Sequence, residues 1–318
     1  MDLALSAAEE VVRREVGDLL DATCPTTRVR AAEPLGFDAE LWSKLESAPV
    51  PYAGRLTELA VASEEVGKRL APVPVVEVAV TRRLLTASNA PVPSSALPTL
   101  ALRPVVGDVA TLVPAGAVAT EVVALIGDRL VVAHQAAAAS PPPNLGSLPV
   151  ANVHVGAAHV LAEGVQARAA FDHAVDEWRT LTAAALVGLA QGAFDRTVQR
   201  VRDREQFGVP IGSFQVVQHR LADLATQLDG ARLLTWHAAW EGAEQGPRAA
   251  ELAAMALLFA AETAVTAATE GLHLHGGLGF TLDCDIQLYF RRAKAWSLLL
   301  ADPERELLRL GDVLYGGR

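Results

Sequence analysis

The sequence predicts a mainly α-helical protein with one small β domain in the middle of the chain. Helical periodicity fills both ends of the 318 residues, whereas short β-rich runs punctuated by proline and glycine occupy residues 91–164. Hydrophobic residues make up 51% of the chain and aromatic residues only 5%, with alanine throughout, which favours closely packed helices. We therefore expect an N-terminal helical domain at residues 1–98, a reduced antiparallel β domain at 99–170 and an antiparallel four-helix bundle at 171–318.

Amphipathic patterns predict three helices in the N-terminal domain. In the first, Glu9, Arg13 and Glu15 fall on the face directed to solvent, and apolar residues recur on the other face at the helical period. The predicted helices are Ala7–Ala22, Thr57–Leu70 and Val76–Ala87.

Six short runs predict the strands of the β domain. Gly127 and Asp128 separate two of these runs and are typical of a tight hairpin turn. The predicted strands are Thr99–Leu102, Val109–Val113, Glu121–Ile126, Arg129–Ala133, Val150–Val155 and His159–Leu161.

Glycine and proline divide the C-terminal part into five predicted helices, four of them long. The apolar run from Leu252 to Ala261 is ten residues long, too short to cross a bilayer, and we interpret it as part of a buried helix. The predicted helices span residues 172–203, 213–243, 248–273, 284–300 and 303–314.

Two glycine-bearing segments about seventy residues apart are the strongest functional signal. An arginine at a helix end can pair with a pyrophosphate, and glycines let backbone amides approach a phosphate or ribose. For isolated residues, a salt bridge from Arg204 to Asp203 or Glu205 and a core position for Phe207 would be the favoured explanation. A plain helix-ending turn explains the glycines but not the arginine motif. The first segment reads Arg204-Glu205-Gln206-Phe207-Gly208-Val209-Pro210-Ile211, then Phe214-Gln215; the second reads His273-Leu274-His275-Gly276-Gly277-Leu278-Gly279-Phe280-Thr281, then Arg291-Arg292-Ala293-Lys294.

Together, in this order and at this spacing, the two segments resemble the C-terminal domain of the acyl-CoA dehydrogenase family, over roughly residues 171–311. The resemblance implies that they contact the ADP half of an FAD held mainly by a neighbouring subunit. His273 departs from the glutamine usual in the family, which weakens the assignment at that residue. The implied FAD contacts are Arg204, Gln206, Phe207, Phe214, Gln215, His273, Gly276, Gly277 and Gly279.

The resemblance also exposes a missing catalytic base. Most family members carry a glutamate after the arginine–alanine motif, and that triplet falls here on Leu300-Ala301-Asp302. A minority carry it on the first bundle helix, which falls here on Trp178. Neither leucine nor tryptophan can accept a proton, so no catalytic residue is expected in this chain.

Glu177, Asp302 and Glu304 are the acids near these positions, but each has a simpler explanation or a different direction. Glu177 is one residue away from the minority position, a rotation of about 100° around a helix. Asp302, followed by Pro303, reads as a helix N-cap. A homo-oligomeric enzyme that uses Glu177 or Asp302 as the base stays open as an alternative.

The β domain lacks the family's flavin- and substrate-binding motifs between residues 91 and 164, and the chain is shorter than is usual. By resemblance to two-chain acyl-CoA dehydrogenases, we expect an α2β2 heterotetramer with a longer catalytic subunit and one FAD per heterodimer. Its substrate would be an acyl-CoA with a steroid side chain, and its acceptor an electron-transfer flavoprotein or a similar protein. A non-enzymatic scaffold is the second alternative.

Composition excludes several other classes. A net charge of -10 argues against a nucleic-acid partner. The two cysteines, Cys24 and Cys284, form no disulfide framework, and His273 and His275 lie on different faces of a helix without acidic partners, so no metal is expected. The N-terminal sequence has no signature of a secretory signal, and we expect a cytoplasmic protein with no membrane contact.

Overall fold

The computed structural model describes residues 4–48, 54–91, 96–135, 141–156, 158–300 and 302–316. Helices come first, a small β region follows, and long helices complete the chain. The described N-terminal residues form five helices, of which the second and third were not predicted from the sequence. They are α1 (Ala7–Thr23), α2 (Thr26–Ala31), α3 (Ala39–Glu46), α4 (Leu56–Lys68) and α5 (Val75–Ala87).

The start of α1 is fixed by a reciprocal cap. The hydroxyl of Ser6 accepts a hydrogen bond from the Glu9 amide at 3.3 Å, and the Glu9 carboxylate accepts one from the Ser6 amide at 2.7 Å. Two amides that the helix leaves unpaired are thereby satisfied, which explains why the helix begins at Ala7, as predicted.

The six predicted strands are confirmed, and they form two small sheets. One sheet has the order β1-β3-β4-β6, and β2 pairs with β5 in the other. Gly127, with φ +62°, begins the predicted hairpin turn between β3 and β4. The strands are β1 (Pro98–Leu100), β2 (Val109–Val113), β3 (Glu121–Ile126), β4 (Arg129–His134), β5 (Ala151–His154) and β6 (His159–Glu163).

The expectation of a purely antiparallel β domain is wrong for one pair of strands, because β1 and β3 run parallel. The 20 residues between Leu100 and Glu121, which include β2, carry the chain back to the starting end of β1. Parallel neighbours need such a long crossover, whereas a hairpin turn can join only antiparallel strands.

The C-terminal part is helical as predicted, but its helices differ in length from the prediction. The first begins at Gly164, eight residues before the predicted start, and the predicted helix 284–300 ends at Trp296. The bundle therefore has three long helices and two short ones. They are α6 (Gly164–Asp203), α7 (Gln215–Ala243), α8 (Ala249–His275), α9 (Ile286–Trp296) and α10 (Pro303–Tyr315).

Helix α8 is the core helix of the bundle. By length and composition alone it could cross a membrane, yet 61% of its apolar 18-residue stretch is buried inside the protein. Most of the run Leu252–Ala261 is buried, as predicted, against α6 and α7. Its many alanines allow these neighbours to approach closely, so the apolar character of α8 is explained by packing.

Helices α4 and α6 touch through their backbones at glycines. A Cβ added to Gly67 would lie 1.9 Å from the carbonyl oxygen of Ala185, and one added to Gly188 would lie 1.9 Å from that of Glu64. Gly192 is equally restricted, at 2.3 Å from the carbonyl oxygen of Lys68. These glycines join the N-terminal helices to the bundle at a distance that no side chain allows.

We expect Gly188→Ala to lower the free energy of unfolding by about 1–3 kcal/mol, because α4 and α6 must move apart to accept the methyl group. Gly311→Ala is the matched control: this glycine also lies in a helix, and an added Cβ meets nothing within 4 Å. The control should stabilise α10 by about 0.5–1 kcal/mol through helix propensity. Urea denaturation measures both variants, and equal stabilities would contradict the proposed constraint.

Candidate functional site

The two motif segments lie at the same end of the bundle. The first joins the end of α6 to the start of α7, and the second follows the end of α8. Arg220 near the start of α7 pairs with Glu270 near the end of α8 at 3.3 Å. A Cβ on Gly271 would lie 2.9 Å from the Thr197 hydroxyl on α6, so α6 and α8 also meet here. The segments that the sequence separates by about seventy residues therefore belong to one surface.

The first segment folds into a tight hairpin. Strand β7 (Glu205–Gln206) pairs antiparallel with β8 (Val209–Pro210), and both intervening residues have positive φ, +56° at Phe207 and +80° at Gly208. This combination is that of a type I′ turn, which strongly prefers glycine or asparagine to a phenylalanine. A bulky residue in the left-handed region is an outlier that often marks a functional position.

Phe207 points into solvent from this turn. Its side chain is 93% exposed, and its ring meets the edge of Phe214 with centroids 6.2 Å apart and an angle of 80°. The alternative that placed Phe207 in the core is therefore wrong: the two-residue turn projects the side chain away from the bundle.

Arg204 directly follows α6, and its side chain is exposed. Its amide donates to Arg200, and its carbonyl accepts from Ile211 at 2.8 Å, so the backbone at this point is fixed. Among the described residues, no carboxylate lies within ion-pair distance of the guanidinium, and Asp203 is instead bonded by Gln199. The structure thus gives no support to a salt bridge to Asp203 or Glu205 as the reason for Arg204.

The start of α7 lacks a side-chain cap. Phe214 occupies the N-cap position, where no side chain accepts a hydrogen bond from the first amides, and Gln215 is the exposed first residue. Gln206 is also exposed, and its side-chain amide donates a hydrogen bond to the backbone carbonyl of Glu205 at 2.9 Å. An uncapped helix start presents free amides and the positive end of the helix dipole, which suit an anion.

The three glycines of the second segment differ in whether the fold requires a residue without a side chain. Gly276 ends α8 with φ +66° and ψ −149°, a conformation reserved for glycine. A Cβ on Gly279 would lie 2.7 Å from the carbonyl oxygen of Leu272. Gly277 has neither constraint, and an added Cβ would meet nothing within 4 Å. Its lack of a side chain is therefore unexplained by the chain itself, which fits the close approach of a ligand.

The two histidines have separate surroundings. His273 is exposed on the last turn of α8. His275 bonds through Nδ1 to the carbonyl of Gly271 at 2.7 Å, and burial, together with the charges of Arg200 and Arg196, lowers its pKa. Among the residues that the structure describes, no three metal-ligating side chains cluster.

The positions where the family's base was sought are packed into the core. Trp178 is 1% exposed and Leu300 is buried, while Ala301 lies outside the described residues. Asp302 accepts from the Glu304 amide at 2.9 Å and caps α10, as its sequence context predicted.

The carboxylate of Glu177 takes part in a buried ion pair. Both of its carboxylate oxygens accept from Arg83, at 2.7 and 3.0 Å, and His173 lies at 3.5 Å. Burial acts to raise the pKa of Glu177, but hydrogen bonds from His173 and Arg83 outweigh it and hold the pKa below its usual range. A carboxylate held so firmly in its charged form is a weak proton acceptor.

A small apolar cavity lies where the N-terminal helices, the β domain and the bundle meet. Its volume is about 90 Å³, and its lining includes Leu70, Val76, Leu148, Ala185 and Trp296. A cavity of about 150 Å³ accepts one benzene molecule. The space is therefore too small for a three-ring flavin with an acyl chain beside it.

The exposed Arg204, the uncapped start of α7 and the open backbone at Gly277 together offer groups that suit an anionic ligand. The sequence analysis did not predict that apolar side chains would be exposed around the site, although their position beside the motifs could have indicated it. It also did not predict the uncapped start of α7. These exposed apolar residues are Val209, Val216, Leu278, Phe280 and Leu282.

Comparison with known proteins agrees with this architecture. Residues 166–300 match the C-terminal domain of acyl-CoA dehydrogenases. The chain is 31% identical to the acyl-CoA dehydrogenase IpdE2 of Mycolicibacterium smegmatis over 323 aligned residues, covering 96% of this chain and 98% of that protein.

Two solved structures share the whole fold. The Tcur3481-Tcur3483 steroid ACAD superimposes with a TM-score of 0.85 at 27% identity, covering 97% of this chain and 98% of that one. The ChsE4-ChsE5 complex from Mycobacterium tuberculosis gives 0.83 at 25% identity, covering 99% of both chains. The chain belongs to the acyl-CoA dehydrogenase family, whose members are FAD-dependent oxidoreductases that act on CH–CH bonds.

Proposed function

We propose that this chain is the non-catalytic subunit of a heteromeric, FAD-dependent acyl-CoA dehydrogenase. It contributes contacts to the ADP half of an FAD whose flavin ring lies in a longer catalytic subunit. The observation that carries the proposal is the exposed guanidinium of Arg204, which has no carboxylate partner among the described residues, beside the outward-facing Phe207 and the open backbone at Gly277. FAD, when bound, supplies the hydride acceptor, while the residues of this chain bind and orient its nucleotide end.

The electrostatics of the site favour a pyrophosphate. Arg204 can form a charge-assisted, bidentate contact, and the uncapped start of α7 offers amides for the remaining oxygens. Gln215 and His273 are exposed beside these groups and can donate to a ribose or to the nucleotide edge.

The surroundings of the site favour a protein partner. Phe280 is 75% exposed and Leu282 is 74% exposed, and both lie next to the glycine segment. With Phe207, Val216 and Leu278 they place apolar side chains on both motif segments at the same end of the bundle. Such a patch, with polar groups among it, is typical of an interaction surface. A catalytic subunit that carries the rest of the FAD would cover it.

The same chain is poorly equipped to perform the reaction alone. Leucine and tryptophan stand where the family carries the base, Glu177 is paired with Arg83, and the cavity lined by Leu70, Ala185 and Trp296 is too small for a flavin. These observations disfavour a homo-oligomer that uses Glu177 or Asp302. They support a partner that supplies the base, the flavin pocket and most of the acyl site.

The two neighbouring complexes each join two different chains, which supports a heteromeric assembly. The α2β2 stoichiometry, with one FAD per heterodimer, is our proposal. One of them is a steroid ACAD, and we extend that substrate class to the α,β-dehydrogenation of a steroid-side-chain acyl-CoA. Electrons would pass to an electron-transfer flavoprotein or a similar acceptor in the cytoplasm.

The first prediction concerns Arg204. In the co-expressed complex, Arg204→Ala should weaken FAD binding by about 10–100-fold, because it removes a charge-assisted contact of about 1.5–3 kcal/mol. The control is Arg168→Ala, an exposed arginine about 50 Å away along the same helix. Flavin absorbance per complex after gel filtration measures the loss. Unchanged FAD content in Arg204→Ala would favour a scaffold that does not shape the cofactor site.

The second prediction concerns Gly277. A methyl group there meets nothing in this chain, so Gly277→Ala should leave the stability of the chain unchanged. It should nevertheless weaken FAD binding by about tenfold, because the methyl group occupies space needed for the nucleotide. Thermal unfolding of the chain and fluorescence titration of the complex with FAD test the two halves of this prediction. Gly311→Ala serves as the control, and equal FAD affinity in both variants would contradict the assignment.

The third prediction separates the proposal from a self-sufficient enzyme. Glu177→Gln should leave the turnover rate per bound flavin unchanged and lower the free energy of unfolding by about 1–3 kcal/mol, since Arg83 loses its charged partner. Stopped-flow reduction of the flavin by an acyl-CoA measures the rate. A fall in this rate of about 100-fold or more would identify Glu177 as the base.

A further inference from the structure

The small interdomain cavity contains a buried arginine with an unsatisfied donor. Arg292 lies on α9, lines the cavity and is 4% exposed. Its Nη1 is fully buried and has no hydrogen-bond partner among the described residues. The nearest carboxylate oxygen, Oε1 of Glu33, is 3.7 Å away. That oxygen already accepts from Arg291 and, at 3.4 Å, from Ser147.

This arrangement is costly unless something else pairs with the guanidinium. Burial lowers the pKa of Arg292 to about 10, which still leaves the group charged at neutral pH. A buried charge without hydrogen bonds destabilises a protein by several kcal/mol. Arg179, the other arginine that is buried among the described residues, also has an unpartnered Nε, but its two terminal nitrogens donate to Asp176 at 2.6 Å and to Glu306 at 3.1 Å.

The rest of the lining suits a ligand with an apolar body. Val66, Leu70, Val76 and Leu299 form apolar walls. Glu77 is the cavity's carboxyl group, and burial raises its pKa against the opposing effects of its own amide and the Trp178 indole. A raised pKa favours the neutral form of this carboxyl group and so weakens its repulsion of an anion.

We propose that this cavity binds a short aliphatic monocarboxylate, with its carboxylate on Arg292 and its alkyl group against the apolar walls. A guanidinium presents a planar fork that matches a carboxylate with two parallel hydrogen bonds. By proportion with one benzene in about 150 Å³, the volume of about 90 Å³ accommodates about four non-hydrogen atoms, the size of acetate. The site lies in this chain alone, so the proposal does not rest on the nucleotide half-site.

Isothermal titration of the full-length chain, in the assembly in which it purifies, tests the proposal with sodium acetate and sodium propionate at constant ionic strength. We expect a Kd of about 1 mM or below for at least one of them, and no binding of acetamide, which has the same shape without the charge. Arg292→Gln should weaken binding at least about tenfold, while Arg292→Lys, which keeps the charge, should retain part of it.

Arg179→Gln is the matched control, because it removes another buried arginine that does not line this cavity. It should destabilise the chain but leave carboxylate binding unchanged. Circular dichroism establishes whether each variant is folded. If Arg292→Gln does not fold, the weaker binding expected of Arg292→Lys still tests the proposal.

Two results would overturn the proposal. One is acetamide binding as well as acetate, or Arg292→Gln binding as well as the unaltered chain. The other is a crystal structure of the chain grown with acetate in which ordered water alone occupies the cavity. In that case the role of Arg292 is a hydrated structural one.

Discussion

The contact between α4 and α6 through Gly67, Gly188 and Gly192 is the constraint on which the molecule depends. It joins the N-terminal helices to the longest helix of the bundle with their backbones touching, a distance that only glycine permits. Because α6 is 40 residues long and buried through its middle, its direction is then fixed over about 60 Å. Arg204 directly follows this helix, so a contact in the core decides where the hairpin that we propose to contact the nucleotide lies.

The outer end of the bundle has features that a self-contained chain would avoid. A phenylalanine sits in a left-handed turn, an arginine lacks a carboxylate partner among the described residues, a helix begins without a cap, and large apolar side chains face water. The strained turn, the missing cap and the exposed apolar side chains each cost stability or solubility, and none of them benefits the isolated fold. Their concentration on two adjoining segments is best understood as preparation for a surface that another molecule completes.

Much of the fold could be predicted because its signals are local. Six strands and the main helices follow from periodicity and from turn residues such as Gly127 and Asp128. The parallel pairing of β1 with β3 could not be predicted, because strand order depends on tertiary packing. The same holds for the Arg83–Glu177 pair, whose members are 94 residues apart. Sequence motifs likewise identified the candidate site, whereas the exposure of Phe207 required the geometry of a two-residue turn.

The chain lacks the family's base but keeps the two motif segments, and this pattern favours the proposal that the base and the flavin pocket belong to a partner subunit. Simple decay of an ancestral enzyme would have no reason to spare one half of a cofactor site. Here the positions where the family carries its base are core residues, with Trp178 1% exposed, and the cavity where the N-terminal helices, the β domain and the bundle meet is about 90 Å³. The two motif segments, in contrast, keep Gly277 and Arg204, which packing within the described residues does not require. Such selective retention is expected if a partner's FAD, and not this chain's own active centre, is what the surface contacts.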